Sequence, residues 1–165
     1  MGKLNFSRDN SDDKLKNLGI GKIGAIKSWL EDMDIKKYTI NDDLTIDVNQ
    51  NVVLDSKLID HLPDYIQFGI VESAFIIRRC KLTTLKGCPR QCTSFFCNYN
   101  NLKSLEYSPE NVSLTFDCSW NLLKTLDYLH IPPNTGTTIY VLGGNDIDPA
   151  IIGRYRVRGY KISYL

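Results

Sequence analysis

Residues 95–126 read FFCNYNNLKSLEYSPENVSLTFDCSWNLLKTL, and this stretch contains one short pattern twice. Asn-x-Leu-x-x-Leu occurs at 100–105 and again at 121–126, which is 126 − 105 = 21 residues later. Each copy follows a Phe-x-Cys segment, at 95–97 and at 116–118. A fixed spacing of this size is typical of proteins built from stacked repeats. The sequence therefore predicts a repeat architecture.

Three further copies extend the pattern in both directions, at 52–62, 75–85 and 140–148. Their Asn position is occupied, in order, by Lys57, Cys80 and Asn145. The closing leucines of the first four copies, at 62, 85, 105 and 126, are 23, 20 and 21 residues apart. Chance periodicity in an unrelated α+β domain is the alternative. Agreement of five copies in both the strand and the Asn positions favours repeats.

The residue types explain how such copies stack. An apolar-x-apolar segment forms a short strand whose alternate side chains point inward, and stacked copies make a parallel sheet. Each copy leaves an apolar flank that only its neighbour covers. Asn100, Asn121 and Asn145 are expected to form a ladder in which their amides satisfy backbone groups where the chain leaves the sheet.

The segments FFCNYNNLKSLEYSP and FDCSWNLLKTL resemble the leucine-rich-repeat family, over about residues 50–148. They look most like the short, degenerate repeats encoded by tailed bacteriophages, and Ile26–Val48 resembles the leader that precedes such repeats. The resemblance implies an α/β, β-rich solenoid of about five leucine-rich repeats, with a helix and strands as its N-terminal cap and closing strands at its C-terminus. Lys57 and Cys80 depart from the family's Asn, which affects the regularity of the coil rather than the fold.

Four segments follow from this interpretation: a flexible N-terminal segment 1–21, an N-terminal cap 22–50, the solenoid 51–148 and a C-terminal cap 149–165. Apolar residues at helical spacing predict a helix over 22–34. Alternating residues then predict strands at 38–40 and 44–48. Asp148 followed by Pro149 predicts at most a short helical turn.

Beyond that turn, RYRVRGYKISYL alternates and predicts one or two closing strands. Arg154, Arg156, Arg158 and Lys161 would then share one side. Two interpretations stay open for this basic row. It is either a patch that contacts phosphates or a charged edge strand that discourages sheet-to-sheet association.

A binding surface is expected at the outward-facing strand positions, because the inward positions must stay apolar to form the core. In the fifth copy we assign Val141, Gly143 and Gly144 to these outward columns. In the middle copies the columns predict a partner-binding surface formed by Ile76, Arg78, Arg79, Phe96, Asn98, Tyr99, Asp117 and Trp120. Exposed aromatic and Arg side chains dominate binding hot spots. The alternative is that the terminal segments fold back and bury this face.

Reactive groups at a telling spacing do not occur in the chain. The two histidines, His61 and His130, lack a nucleophile or carboxylate partner at a recognisable distance in sequence. Cys80, Cys88, Cys92 and Cys97 could be drawn into a zinc site. However, Cys88-x-x-x-Cys92 has no matching second pair. We therefore predict no catalytic residues, no cofactor and no metal.

Composition adds limits on the partner and the compartment. The net charge of +1 is far from that of a dedicated nucleic-acid binder. Five cysteines, with no export signal or membrane-length apolar run, predict reduced thiols in a cytoplasm. If the phage resemblance holds, this is the cytoplasm of the bacterial host.

The expected function is that of a non-catalytic protein–protein interaction module. The phage resemblance implies a bacterial host protein as partner, and the module would block or redirect a host enzyme or an anti-phage defence factor. Nucleic-acid binding through Arg78, Arg79 and the C-terminal arginines is one alternative. A cryptic enzyme whose pocket the sequence does not reveal is another, and a virion-associated component is a third.

Overall fold

Short parallel strands recur once per turn along the chain and stack into a β-solenoid of about five turns of ~22 residues each. The computed structural model describes residues 11–164. In chain order the elements are α1 (Ser11–Asp32), β1 (Tyr38–Ile40), β2 (Ile46–Val48), β3 (Val52–Val53), β4 (Phe68–Ile76), β5 (Gln91–Phe96), β6 (Asn111–Asp117), β7 (Thr138–Tyr140), α2 (Pro149–Val157) and β8 (Lys161–Ser163).

One sheet contains all the strands, in the order β1-β2-β4-β5-β6-β7-β8. The pair β1–β2 is an antiparallel hairpin, which confirms the two predicted strands around Asn41–Asp43. The other neighbours are parallel, and β3 pairs beside β2 with the second half of β4. The register shifts once within β4–β5 and once within β5–β6, which accounts for turns of 20 and 21 residues in the same sheet.

Aromatic rings fill the interior of the solenoid. The Phe75 and Phe95 rings are stacked with centroids 5.7 Å apart, and Phe95 and Phe116 are stacked at 5.4 Å. Phe68 meets Phe75 edge-on, and Trp29 of α1 contacts Phe68 in turn. All four phenylalanines are fully buried. Offset and edge-to-face pairs of this kind add about 0.5–1.5 kcal/mol each beyond the area that they bury.

The predicted Asn ladder is present. The Asn100 Oδ1 accepts the backbone N–H groups of Cys80 and Leu82, while its Nδ2 donates to the carbonyls of Ile77 and Cys97. One turn later the Asn121 Oδ1 accepts the Leu102 N–H, and its Nδ2 donates to the carbonyls of Cys97 and Cys118. Asn145 keeps the contacts to the preceding turn, where it accepts the Leu123 N–H and donates to the Cys118 carbonyl. Cys80, in the Asn position of an earlier turn, donates only its thiol, to the carbonyls of Leu54 and Arg78.

The N-terminal helix begins earlier than the pattern predicts. It starts at Ser11 rather than at residue 22, so residues 11–21 of the predicted flexible segment are helical, and residues 1–10 lie outside the described range. Its C-terminus is a Schellman motif, in which the Asp34 N–H bonds to the Glu31 carbonyl and the Ile35 N–H to the Leu30 carbonyl. Asp34 accordingly has a left-handed φ of 59°.

At the C-terminal end the alternation of RYRVRGYKISYL is misleading. Residues 149–157 form the helix α2, whose N-cap Asp148 accepts the Ala150 N–H at 2.8 Å, and only one closing strand, β8, follows. The prediction that Arg154, Arg156, Arg158 and Lys161 line one side of a strand is therefore wrong. The Asp-Pro start provides a cap and a preset φ, and these favour a helix over the strand pattern.

In the fifth turn the predicted register is off by one residue. Tyr140, and not Val141, pairs with Asp117 and occupies the outward column, while Val141 is buried. The cause is one extra residue before Asn145, because the Trp120 N–H bonds to the carbonyls of both Leu142 and Gly143. The extra residue leaves Asn145 in its place in the ladder.

Candidate interaction surface

Three residues on successive turns form what we call the outer ladder: Arg79, Tyr99 and Trp120. Each immediately precedes the residue in the Asn position of its turn, where the chain leaves the sheet. Each has a left-handed backbone, with φ of 54°, 58° and 53°. Parallel pairing of β4, β5 and β6 then places the three side chains one above another.

The ladder is a continuous stack. The Arg79 guanidinium carbon lies 4.9 Å from the centroid of the Tyr99 ring, within cation–π range. The Tyr99 and Trp120 rings are 5.5 Å apart and 4° from parallel. Tyr99 is nevertheless 43% exposed and Trp120 49% exposed. The stack holds the two rings in place while leaving much of both in solvent.

Gly143 lies against Trp120 from the following turn. A Cβ on Gly143 would lie 2.6 Å from two carbons of the indole, and its φ is +46°, a conformation that favours glycine. Tyr99 contacts the indole from the preceding turn. Both neighbours of Trp120 in the stack are therefore close to its ring.

The backbone of the outer ladder is strained. A left-handed conformation costs a residue with a side chain roughly 1–2 kcal/mol, and Arg, Tyr and Trp adopt it on three successive turns. Strain of this kind persists where the surrounding structure fixes it, and it concentrates at functional sites. Here the Asn ladder fixes the turn and the strained residues present large side chains to solvent.

An ion-pair cluster lies at the Arg79 end of the outer ladder. Asp55 accepts a hydrogen bond from Arg78 Nη2 at 2.7 Å, and Arg79 Nη1 lies 3.7 Å from the other carboxylate oxygen. The Arg78 Nε is buried without a hydrogen-bond partner. Because Arg78 is held by Asp55 within the chain, Arg79 is the more available of the two cations.

The eight predicted surface residues occupy adjoining strands and turns, but their exposure differs. Arg79, Tyr99 and Trp120 are exposed, whereas Ile76, Arg78, Phe96 and Asp117 are half-buried. Asn98 is only 8% exposed and its Oδ1 has no partner, contrary to the solvent-facing position expected. In sequence Asn98 stands between Phe96 and Tyr99, and its side chain is shorter than either.

A second exposed aromatic pair was missed by the sequence reasoning. Tyr107 and Tyr128 occupy equivalent positions on successive turns, both with φ of 65°, and are 51% and 57% exposed. They border a cleft of about 460 Å³ that also contains Arg90 and His130. The sequence does contain a pattern that indicates this pair, because a Tyr stands two residues after the closing leucine in both copies, at 105–107 and 126–128.

The cysteines are structural in character. All five are buried, and burial raises the pKa of the Cys92 thiol to about 12. Burial also raises the pKa values of Cys88, Cys97 and Cys118. Among residues 21–164, whose side chains the structure describes, no group of three or more His, Cys, Asp or Glu side chains is placed to hold a metal ion.

Neither helix in the described part of the chain combines the length and apolar character needed to cross a membrane. Comparison with protein-family models, with curated proteins and with solved structures finds no match. The outer ladder is the largest stack of exposed side chains in the described part of the chain.

Proposed function

We propose that this protein is a non-catalytic module that binds another protein through the sheet face carrying the outer ladder. The observation that carries the proposal is the exposure of Tyr99 and Trp120 in a fixed stack. Two aromatic rings already held in place lose little conformational freedom on binding. The half-buried Ile76 and Phe96 lie beside them and enlarge the apolar contact area.

A protein partner fits the ladder better than a nucleic acid. Sequence-tolerant nucleic-acid sites offer an aromatic face on which a base stacks. In the outer ladder those faces already contact Arg79, the neighbouring ring or Gly143. The C-terminal arginines do not form a row on one strand either, because they belong largely to α2.

The finer assignment is to a leucine-rich-repeat protein of the tailed-phage type, acting on a bacterial host protein. It is supported by the Asn ladder and by the buried leucines at 82, 85, 102 and 105, which follow the repeat pattern. The phage origin and the host partner rest on the Phe-x-Cys segments and the leader over 26–48. Blocking or redirecting a host enzyme or defence factor by steric occlusion is the action we propose.

In this mechanism the rings of Tyr99 and Trp120 insert into the partner, and Arg79 pairs with an acidic group on it. Arg78 and Asp55 stay paired and orient Arg79 from behind. Truncating a central aromatic anchor costs on the order of 2 kcal/mol or more in binding.

The test is an affinity capture from bacterial lysate, run in parallel with and without nuclease and about 1 M salt, followed by affinity measurement with the captured protein. The Tyr99→Ala, Trp120→Ala double variant should lose the partner. The Tyr107→Ala, Tyr128→Ala variant is the matched control, because it removes two equally exposed aromatics elsewhere. Normal binding by the first variant would exclude the outer ladder. Capture of nuclease-sensitive material alone would favour the nucleic-acid alternative instead.

A further inference from the structure

The C-terminal strand β8 forms one end of the sheet, and within the described residues 11–164 it pairs only with β7. The Val141 N–H donates to the Ser163 carbonyl, so Ser163 faces β7. In a parallel pair, alternate residues point their backbone groups to opposite sides. The backbone N–H and carbonyl of Ile162 therefore face the open side of β8.

Arg156 covers part of that open side. From the last turn of α2, its Nε and Nη2 donate to the Ile162 carbonyl at 3.1 and 2.8 Å. A guanidinium that donates twice to one carbonyl prevents another strand from using that oxygen. Open sheet edges are templates for an added strand, and natural proteins protect them with charged side chains of this kind.

The surroundings of the edge are basic. A cleft of about 400 Å³ follows β8, and its described lining contains Arg156 and Lys161 among uncharged residues and no acidic one. From residue 149 to residue 165 the sequence has three arginines and one lysine but no Asp or Glu. An added strand would therefore bind most favourably if it carried negative charge.

We propose that β8 accepts an extended acidic segment of a protein partner as an added strand, with Arg156 as the latch that selects it. A backbone N–H of the incoming segment takes the Ile162 carbonyl, and the released guanidinium pairs with a carboxylate of the same segment. The carbonyl keeps a donor, and the Arg gains a charge-assisted partner. A neutral or basic strand would leave Arg156 without a replacement, so the latch discriminates by charge.

This edge is distinct from the outer ladder. The ladder lies on turns whose strands are β4, β5 and β6, whereas the edge lies beyond β7. Strand addition supplies affinity through backbone hydrogen bonds, and side chains supply the specificity. Either site can therefore fail its test without affecting the other.

The experiment is an NMR titration of the full chain with synthetic peptides at millimolar concentration. The probe is the acetylated and amidated peptide TETETET, and TQTQTQT and TKTKTKT are its uncharged and basic counterparts. A fourth peptide has the sequence TETETET with N-methyl groups on residues 2 to 6, so it keeps every acidic side chain but loses these backbone donors on both of its edges. We expect saturable shifts of the Ile162 and neighbouring amides, with a Kd for TETETET at least tenfold below that for TQTQTQT.

Variants at Arg156 separate the latch from general charge. Arg156→Ala should bring the acidic and uncharged peptides within threefold of each other, whereas Arg156→Lys should keep an acidic preference. Arg154→Ala, one charge removed on the same helix, should leave the tenfold preference unchanged. Equal binding of the acidic and uncharged peptides by the unaltered protein would overturn the proposal. So would binding of the N-methylated peptide as tight as that of TETETET, absence of shifts at β8, or shifts caused by self-association of the protein.

Discussion

Tyr99 and Trp120 come from consecutive turns of the solenoid, and their rings lie 5.5 Å apart and 4° from parallel. The stack continues to Arg79 on one side and to Gly143 on the other. A similar ring stack lies inside the solenoid, where the rings of Phe95 and Phe116 are 5.4 Å apart and tilted by 23°. The outer pair is closer to parallel although it is half in solvent. The parallel arrangement of the two rings therefore depends on the backbone turns that carry them and on Arg79 and Gly143 at the ends of the stack, as well as on burial.

Gly143→Ala should disturb Trp120. The new methyl would meet the indole at 2.6 Å, and φ of +46° is unfavourable for alanine, so we expect a loss of about 2 kcal/mol in unfolding free energy. Urea unfolding followed by tryptophan fluorescence measures both effects. Gly136→Ala is the control, because Gly136 has φ of +81° but open space around it. An equal cost at the two positions would mean that the indole contact contributes nothing.

Asn121→Ala should destabilise the fold by about 2 kcal/mol or more. The change removes the acceptor for the Leu102 N–H and the donor for the buried carbonyls of Cys97 and Cys118. Asn101→Ala removes the same side chain from an exposed site one turn earlier and should change the stability by less than about 0.5 kcal/mol. Chemical denaturation of both variants gives the comparison. A small cost at Asn121 would show that the ladder contributes little to stability.

Cys92→Ala should reduce the loss of stability at alkaline pH. Burial raises the pKa of this thiol from its ordinary value of 9.0 to about 12. Above about pH 9 the unfolded chain releases the proton while the folded chain keeps it, so stability falls with rising pH up to about 12. Below that window the thiol adds no pH dependence. The slope approaches 1.4 kcal/mol per pH unit for one such group.

Unfolding free energies at pH 8 and pH 10.5 test this expectation. The difference between the two pH values should be about 2 kcal/mol smaller for Cys92→Ala than for the unaltered protein, by the same linkage argument. Cys92→Ser should behave like the Ala variant, because a hydroxyl does not ionise in this range. An unchanged difference would place the alkaline sensitivity in other groups.

Trp29→Ala should uncover the N-terminal end of the solenoid. Trp29 packs its ring edge-on against Phe68 and is nearly buried, so its truncation should cost about 3–5 kcal/mol. An uncapped repeat stack also exposes apolar surface, so self-association should rise. Calorimetry and light scattering measure the two effects. The same substitution at the half-exposed Trp120 should cost much less and leave the protein in its original assembly state.

The solenoid could be predicted from the sequence because its signals are local and repeated. Phe95, Cys97 and Asn100 each keep one environment from turn to turn, and one well-formed copy therefore identifies the others. This spacing rule fails in a turn that contains an extra residue. The spacing back from Asn145 placed Val141 outward, whereas the strand register places Tyr140 there.

The remaining features of the fold and the surface depend on contacts between residues that are far apart in sequence. Alternation over 154–164 resembles a strand, but the Asp148 cap begins a helix that packs beside β8. Asn98 is buried although its column predicts exposure, and the alternation of the strand alone does not indicate this burial. Stacking of Arg79, Tyr99 and Trp120 requires both the register and the left-handed backbone. Sequence reasoning placed these three residues in one column but did not establish their contacts.

The Asn ladder has a direction, because the amides of Asn100 and Asn121 bond their own turn and the turn before it, and the amide of Asn145 bonds the turn before it. A duplicated copy of residues 100–120, inserted after Trp120, would meet the same carbonyls and N–H groups that Asn121 now meets. The chain can thus grow by whole 21-residue units, each lengthening the stack by about 4.8 Å. Such a duplication would also add one more aromatic ring to the outer ladder, so the length of the solenoid and its exposed aromatic surface would increase together by a single genetic event.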